Sequence, residues 1–246
     1  MFKKNISDHF HQYFSVFRAD TEELKRHVYK LRYDVYFTEL GYEKECPIDC
    51  EKDEFDEYSQ HILIKHKESG LYAGCVRLIT PPENNLGLLL PFEVNCLESI
   101  YEDKKSMLTL DNRIYIGELS RLAIHQTFRR RETDSISSPH GINIDRAPIS
   151  FDADELRYFP LISIALYLSC MSIALNQEIK YVFVMMEPRL ARHLSRSGII
   201  FTQIGDIVGY HGPRAMFYIE KSTLIENFKL EFKAFYQSID EQINAK

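Results

Sequence analysis

The sequence has few cysteines and no tryptophan. Five cysteines stand at scattered positions in 246 residues. An odd, scattered set argues against a disulfide framework, so we expect a reducing, cytoplasmic setting. Cys46 and Cys50 have three residues between them, but no second cysteine pair completes a zinc site, and no metal is predicted.

Long apolar runs and an excess of basic charge are also absent. The stretch 160–175 is free of charge but has only sixteen residues, fewer than the ~20 that a membrane-spanning helix requires. We therefore predict a buried helix and no stable membrane span. The formal net charge of −6 argues against a nucleic-acid binder, because such domains usually carry a basic excess. A local basic patch could still bind an acidic protein.

Several motifs of enzymes and nucleotide-binding proteins are missing. There is no Gly-x-Ser-x-Gly nucleophile motif, and the dinucleotide and P-loop fingerprints are absent. His61, His125 and His211 stand in strand-end or loop positions, which indicates structural histidines rather than catalytic bases. Covalent catalysis therefore has no support from the sequence.

Periodic apolar residues divide the chain into helices and strands. A helix over 21–40 is expected, with Asp20 as its N-cap and Gly41 just after its end. Further helices are predicted over 161–177, from Pro188 to Gly198, and over 222–244. The predicted strands are 60–67 and 71–80, which form a hairpin, and 114–125, 181–186, 199–204 and 215–219. Residues 126–158 are rich in Arg, Ser, Asp and Pro, and we predict a mobile insertion there within a single domain of residues 1–246.

Charged residues interrupt two of the apolar strands. Arg77 lies in one of them, and Glu118 and Arg121 lie in another. A charge inside a sheet costs several kcal/mol unless it is paired, and Arg32, Asp53 and Asp56 are candidate partners. Positions 118 and 121 face opposite sides of a regular strand, so a bulge near 117–120 is needed to bring them together. A structural salt-bridge network and a functional site are equally open at this point.

Around these charges the sequence resembles a group of acyltransferases. The segments that carry the resemblance are 28–36 (VYKLRYDVY), 40–42 (LGY), 53–59 (DEFDEYS), 74–78 (GCVRL), 118–123 (ELSRLA), 186–192 (MEPRLAR) and 209–212 (GYHG). They are similar to autoinducer (acyl-homoserine-lactone) synthases and long-chain N-acyl amino acid synthases. The sequence resembles the PEP-CTERM/exosortase system-associated acyltransferases more closely than those two groups, and all three belong to the wider GNAT-like group.

Two departures from that pattern are informative. Tyr42 stands where the autoinducer synthases usually carry tryptophan, which disfavours the lactone reaction. The glycine-rich loop that holds coenzyme A phosphates in GNAT enzymes is replaced by Phe128-Arg-Arg-Arg131, and a backbone cradle needs those glycines. We expect a donor carried by acyl carrier protein, docked on Arg129, Arg130 and Arg131. A solvated basic turn is the equally open alternative.

The resemblance implies a fold and a reaction. The fold is α+β, a GNAT-like α/β/α sandwich with a central mixed, mostly antiparallel sheet and a C-terminal helical addition. The reaction moves a fatty acyl group from an acyl carrier protein thioester to the amine of an amino acid or related small molecule. The alternatives are an acetyl- or acyl-CoA-dependent N-acetyltransferase and a non-catalytic acyl- or lipid-binding protein.

The resemblance also implies roles for the polar residues. Glu118 is the expected general base, acting through a water molecule, and Arg121 is the second catalytic residue. The residues expected to bind substrate or frame the site are Arg32, Tyr36, Tyr42, Asp53, Asp56 and Arg77. No permanently bound cofactor is expected, and the co-substrate is an acyl-phosphopantetheine thioester on acyl carrier protein or coenzyme A.

Overall fold

A central mixed sheet organises the molecule. The structure is a computed structural model that describes residues 6–42, 45, 47–129, 151–224 and 226–244. Eight strands are found in these ranges: β1 Phe14–Arg18, β2 Ser59–His66, β3 Tyr72–Ile79, β4 Ile116–Ile124, β5 Tyr181–Met186, β6 Thr202–Gln203, β7 Val208–Gly209 and β8 Pro213–Glu220. Their order is β1-β2-β3-β4-β5-β8-β6, and β7 pairs with β8. Every pair is antiparallel except β4 with β5.

Helices cover both faces of the sheet. The α-helices are α1 Ile6–Tyr13, α2 Glu22–Arg32, α3 Pro91–Cys96, α4 Glu102–Lys105, α5 Ala153–Leu156, α6 Pro160–Asn176, α7 Pro188–Ser195, α8 Lys221–Leu224 and α9 Leu230–Asn244. One face packs against α6, α9 and α1 in the main apolar core. The other face packs against α2 and, further along, against Phe92 of α3. This arrangement confirms the predicted α+β sandwich with a mixed, mostly antiparallel sheet.

Helix α6 is the uncharged segment of the sequence. Every side chain from Ile162 to Ala174 is buried against the sheet and α9. Its polar groups have partners both within and outside the helix: Ser169 Oγ donates a hydrogen bond of 2.7 Å to the Ala165 carbonyl, and Ser172 Oγ donates one of 2.6 Å to Asp240 on α9. The prediction of a buried helix is confirmed. No helix in the described ranges combines the length and apolar character needed to cross a membrane.

The helix predicted over 21–40 has two parts. It begins after Thr21, whose hydroxyl accepts the Leu24 N–H, so the expected cap at Asp20 is wrong. After Arg32 the backbone widens into a π-helix over Tyr33–Glu39. Gly41 then adopts a φ of +61°, as the predicted helix end requires. Such a wide turn is typical of functional sites, and this one directs Tyr36 toward β4.

Two elements at the N-terminus are absent from the predictions. α1 runs directly into β1 with no turn residue between Tyr13 and Phe14, so the sequence gives no boundary.

Two predictions in the rest of the chain also need comment. The strand predicted over 199–204 is reduced to the two residues of β6. In the predicted insertion 126–158, residues 130–150 lie outside the described residues, and the insertion stays a prediction.

The parallel pair at the centre of the sheet opens at one end. β4 and β5 pair from Ile116 with Tyr181 to Leu119 with Val184. β4 then continues to Ile124 and β5 to Met186 without pairing to each other. The two strands therefore separate beyond Leu119, and backbone groups of β4 lose their neighbour on that side.

Candidate active site

Arg32 anchors a buried ion-pair network at the end of α2. Its guanidinium is fully buried. It donates hydrogen bonds of 2.6 and 3.1 Å to the two carboxylate oxygens of Asp56, and its Nε contacts Glu51. A bidentate arginine–carboxylate pair fixes both side chains in one orientation. Arg32 thereby joins α2 to the acidic segment that follows it.

Arg77 on β3 extends the network across the sheet. Its Nη1 lies 2.8 Å from Asp56 Oδ1, and its Nη2 lies 2.9 Å from Asp53 Oδ2. Its Nε donates a hydrogen bond of 2.9 Å to Ser120 Oγ on β4. The predicted partnership of Arg77 with the two aspartates is therefore present in the structure.

Arg121 closes the network from β4. Its Nε donates to Glu51 Oε1 at 3.0 Å, and its Nη2 lies 3.1 Å from Asp53 Oδ2. Three arginines thus meet three carboxylates, and their formal charges cancel. The members are Arg32, Arg77, Arg121, Glu51, Asp53 and Asp56. Mutual pairing offsets the desolvation of six buried or half-buried charges.

The pKa values follow from this pairing. Burial alone would raise the pKa of Asp56, but Arg32 and Arg77 outweigh it and hold that pKa well below its usual range. The pKa of Asp53 is likewise lowered, because the pairing with Arg77 outweighs burial. Next to them, burial lowers the pKa of His61 to about 4. His61 is therefore neutral at physiological pH, in agreement with the structural role that its position in the sequence indicates.

A bulge in β4 places Arg121 on the side of the network. Arg77 pairs with Ser120 while Cys75 pairs with Ala123, so Arg121 and Leu122 together face Val76 alone. Arg121 has a φ of +53°, a strained conformation for a residue with a side chain. The bulge expected near 117–120 is therefore wrong in position, yet it does bring Glu118 and Arg121 to one face.

Glu118 is buried and stands apart from the network. Its carboxyl accepts the backbone N–H of Phe92 at 3.0 Å, near the first turn of α3. Burial raises its pKa to about 8, although the Phe92 hydrogen bond and the charges of Arg77 and Arg121 act in the opposite direction. A carboxyl with a pKa near neutrality can both accept and release a proton at physiological pH.

A cleft of about 980 Å³ opens where β4 and β5 separate. Glu118, Leu119, Ser120, Arg121 and Leu122 form one wall. The opposite wall consists of the end of β5 and of α7, from Val184 to Arg196. The cleft therefore reaches both the polar face of the sheet and the apolar face against α6.

The two predicted tyrosines line this cleft. Tyr36 Oη donates a hydrogen bond of 2.6 Å to the Leu122 carbonyl, so it binds the bulge directly. The ring of Tyr42 stacks on Tyr36 with centroids 6.3 Å apart, and it contacts the His211 ring at 4.7 Å. These rings form an aromatic rim next to the polar network.

The predicted donor-docking arginines are only partly described. Arg129 lines the cleft and pairs with Glu39, while Arg130 and Arg131 lie outside the described residues. A second basic set lines the same cleft: Arg189, Arg192 and Arg196 project from α7 and its end, and all three are exposed. Sequence reasoning missed this row, although spacings of three and four residues place its members on one helix face.

Other residues of the site were also missed. Glu51 joins Arg32 to Arg121, but it sits in an acidic run whose members look alike in sequence. Arg113 binds Glu93 and the Leu86 carbonyl, and this contact fixes α3, whose Phe92 N–H contacts Glu118. Glu93 could have been found from the sequence, because glutamate at the third position of a helix is typical of a capping arrangement. In the structure its carboxylate accepts the Leu90 N–H.

Comparison with known proteins identifies the fold. Residues 31–137 match the model of the acetyltransferase (GNAT) domain. The structure is similar to the AHL synthase LasI, with a TM-score of 0.56 and 16% identity over 88% of this chain and 96% of that chain. It is also similar to FeeM, an N-acyl amino acid synthase from uncultured soil microbes, with a TM-score of 0.54 and 14% identity over 89% and 97%.

A third similar structure contains two small molecules. BjaI, a CoA-dependent acyl-homoserine lactone synthase in complex with SAM and isopentyl-CoA, has a TM-score of 0.58 and 14% identity over 92% of this chain and 89% of its own. No protein of curated function matches the sequence. The chain has the GNAT fold, and the match to an acetyltransferase domain over residues 31–137 indicates an acyltransferase. The predicted fold and enzyme class are confirmed.

Proposed function

We propose that the protein transfers a fatty acyl group from a phosphopantetheine thioester to the amine of an amino acid or related small molecule. One observation carries the proposal. Glu118, with a pKa of about 8, lies in a cleft that opens between separating strands. The cleft gives a thioester access to a buried acid–base group.

The reaction needs one proton transfer at this position. The amine nitrogen attacks the thioester carbon, a C–N bond forms, and the C–S bond breaks. Glu118, directly or through water, accepts the proton that the amine loses, and the departing sulfur leaves as the thiolate, which takes a proton from solvent to become the thiol. Backbone N–H groups of β4 near the Arg121 bulge are available to stabilise the oxyanion.

The two halves of the cleft suit the two substrates. Its deeper part is lined by apolar side chains at the α6 face: Val76, Leu119, Tyr167, Val184 and Met186. That part fits an acyl chain, and a volume of about 980 Å³ far exceeds what an acetyl group needs. The polar part beside Glu118 fits the acceptor amine.

The charges at the rim favour a donor on acyl carrier protein. Arg189, Arg192 and Arg196 form an exposed basic row beside the cleft, next to the opening through which a pantetheine arm would enter. An acidic carrier protein complements such a row. We assign Arg129, Arg130 and Arg131 to the same docking surface, and this reaction to the cytoplasm.

The ion-pair network serves as the frame of the site. Arg32, Asp53, Asp56, Arg77 and Arg121 hold α2, β3 and β4 in fixed relation. Tyr36 and Tyr42 complete the wall on the acceptor side. Because the charges of the network cancel, the frame leaves the chemistry to Glu118.

A direct assay tests the proposal. Purified protein is mixed with dodecanoyl donors on acyl carrier protein or coenzyme A and with a panel of amino acids, and thiol release and N-acyl product are measured. We expect product, with the amount of thiol released equal to the amount of N-acyl product formed. The KM for the donor on acyl carrier protein should be lower than the KM for the coenzyme A donor. Arg189→Glu with Arg192→Glu should raise that KM several-fold and leave the coenzyme A reaction nearly unchanged.

Two alternatives give different results in the same assay. An acetyl-CoA-dependent N-acetyltransferase would use acetyl-CoA better than any long-chain donor. A non-catalytic acyl-binding protein would bind dodecanoyl donors and release no thiol. Lipid mass spectrometry of a bacterium that expresses the protein would then identify the acceptor and the length of the acyl chain. The link to an exosortase system stays a prediction from the sequence resemblance.

A further inference from the structure

Arg214 lies in the cleft but outside the ion-pair network. It follows the turn Tyr210–Gly212 and stands at the start of β8, opposite Val208. Alternate residues of a strand share a face, so Arg214 lies on the face of Met216, which packs with Phe183 and Phe92. Glu118 pairs with Phe183 and lies on that same face.

The guanidinium of Arg214 differs from the other arginines of the site. Its Nε is buried and has no hydrogen-bond partner among the described residues. Arg32, Arg77 and Arg113 each contact a carboxylate, whereas none of the ion pairs found in the described ranges includes Arg214. A buried donor without a partner costs free energy that a ligand can recover.

The Cys96 thiol lies near both Arg214 and Glu118, and the charges of both affect its pKa. Burial raises the pKa of the Cys96 thiol, Glu118 raises it further, and Arg214 lowers it. Cys96, Glu118 and Arg214 all line the cleft, and so does Tyr210 of the turn. Arg214, whose Nε has no partner among the described residues, and Glu118 therefore face the same cleft.

We propose that Arg214 binds the carboxylate of the acceptor, so that the enzyme acylates amines that carry a carboxylate group. This inference rests on the proposed function and adds to it a subsite and a substrate requirement. The planar fork of arginine matches a carboxylate with two parallel hydrogen bonds. An acceptor held at Arg214 directs its amine toward Glu118.

The position of Arg214 separates it from the donor side. The basic row of Arg189, Arg192 and Arg196 is exposed at the rim, where a phosphate of the donor would lie in solvent. Arg214 is half-buried beside Cys96 and the Glu118 face. A donor phosphate is therefore assigned to the rim and the acceptor carboxylate to Arg214.

The inference is tested by measuring kcat/KM for pairs of acceptors that differ only in their carboxylate. Alanine, leucine and tyrosine are each compared with their carboxamides, in the wild type and in Arg214→Gln. We expect the acid-to-amide ratio of kcat/KM to fall about 10- to 100-fold in the variant, the effect of losing a hydrogen-bonded charge partner. Because each ratio is compared between two proteins, the intrinsic reactivity of each amine cancels. The donor KM and the reaction of the carboxamides should not change.

Controls separate a binding role from a folding defect. Arg157→Gln removes one positive charge from an exposed ion pair with Asp154 and should leave the ratio unchanged. Arg214→Lys keeps the charge without the fork and should restore part of the preference. A ratio that survives Arg214→Gln, or a rise in donor KM instead, would overturn the inference.

A binding measurement keeps the inference separate from the proposed function. Calorimetry compares N-dodecanoylglycine with N-dodecanoylglycinamide, without any donor. Tighter binding of the acid, lost in Arg214→Gln, supports the subsite even if no turnover is found. Equal binding of acid and amide rejects the subsite, whereas acyl transfer to both classes of amine would leave the proposed function standing.

Discussion

Replacing Glu118 by glutamine should stabilise the protein and strongly lower its turnover. The wild-type carboxyl has an ordinary pKa of 4.5 and a folded-state pKa of about 8. Between these values the folded chain holds one more proton than the unfolded chain, so its free energy of unfolding falls as pH rises. Above pH 8 the full penalty is about 5 kcal/mol, at about 1.4 kcal/mol per pH unit.

Glutamine keeps the shape and the hydrogen bond to the Phe92 N–H but does not titrate. The stability difference between Glu118→Gln and the wild type should therefore be small near pH 4.5. It should grow to about 3 kcal/mol at pH 7 and about 5 kcal/mol above pH 8. In contrast, kcat should fall by about 100-fold or more, the usual contribution of a positioned general base.

Urea unfolding across pH 5 to 8.5 measures the first effect, and single-turnover acyl transfer measures the second. Glu83→Gln, at an exposed position, is the matched control and should change neither. A stability difference that does not vary with pH would show that Glu118 titrates alike in the folded and unfolded states. Unchanged acyl transfer would remove Glu118 from the mechanism.

Three further predictions concern the same site. The wild-type kcat/KM should rise about tenfold per pH unit up to a pH of about 8 and then level off, because only ionised Glu118 accepts a proton. Asp56→Asn should lower the free energy of unfolding by about 3–5 kcal/mol, measured with urea, because it leaves Arg32 and Arg77 with an uncompensated buried charge. Reversal of Arg129–Arg131 to acids should raise the KM for acyl carrier protein several-fold and spare acyl-CoA; an equal response to both donors would refute docking there.

The sequence predicts the members of the network better than their geometry. Arg77 and Arg121 stand out because charge inside an apolar strand requires a partner. Asp53 and Asp56 are three residues apart, and the 3₁₀-helix Glu54–Tyr58 turns both toward the arginines. Glu51 has no such marker, since only the packed fold distinguishes it from its acidic neighbours.

The position of the bulge could not be predicted for a related reason. Gly117 suggests an irregular backbone, but its actual constraint is packing: an added Cβ would lie 3.1 Å from Leu78 Cδ1 and 3.3 Å from the Ile79 carbonyl. The bulge occurs instead at Arg121, a residue with no preference for positive φ. The tertiary pairing of its side chain stabilises that conformation, and such pairing is invisible in the local sequence.

Arg214 shows the limit of motif-based reasoning. It follows Gly212-Pro213 in an exposed turn, and nothing in that context marks it as functional. Only the pairing of β8 with β5 brings it to the face of Glu118. Residues contributed by distant strands can be found only when the order of the sheet is known.

The cancellation of charge in the network has a consequence for the encounter with substrate. The chain as a whole carries a net charge of −6, so the anionic donor that we propose would be repelled at long range. The network adds no net formal charge near the cleft, whereas Arg189 and Arg192 on α7, Arg196 at its end and Arg214 on β8 line it. In the described part of the chain, the row on α7 thus places positive charge beside the cleft of a chain that is negative overall. If the proposed donor is an acidic carrier protein, this row would orient it during diffusion. Association of such a carrier would slow as salt screens the row over about 10 Å.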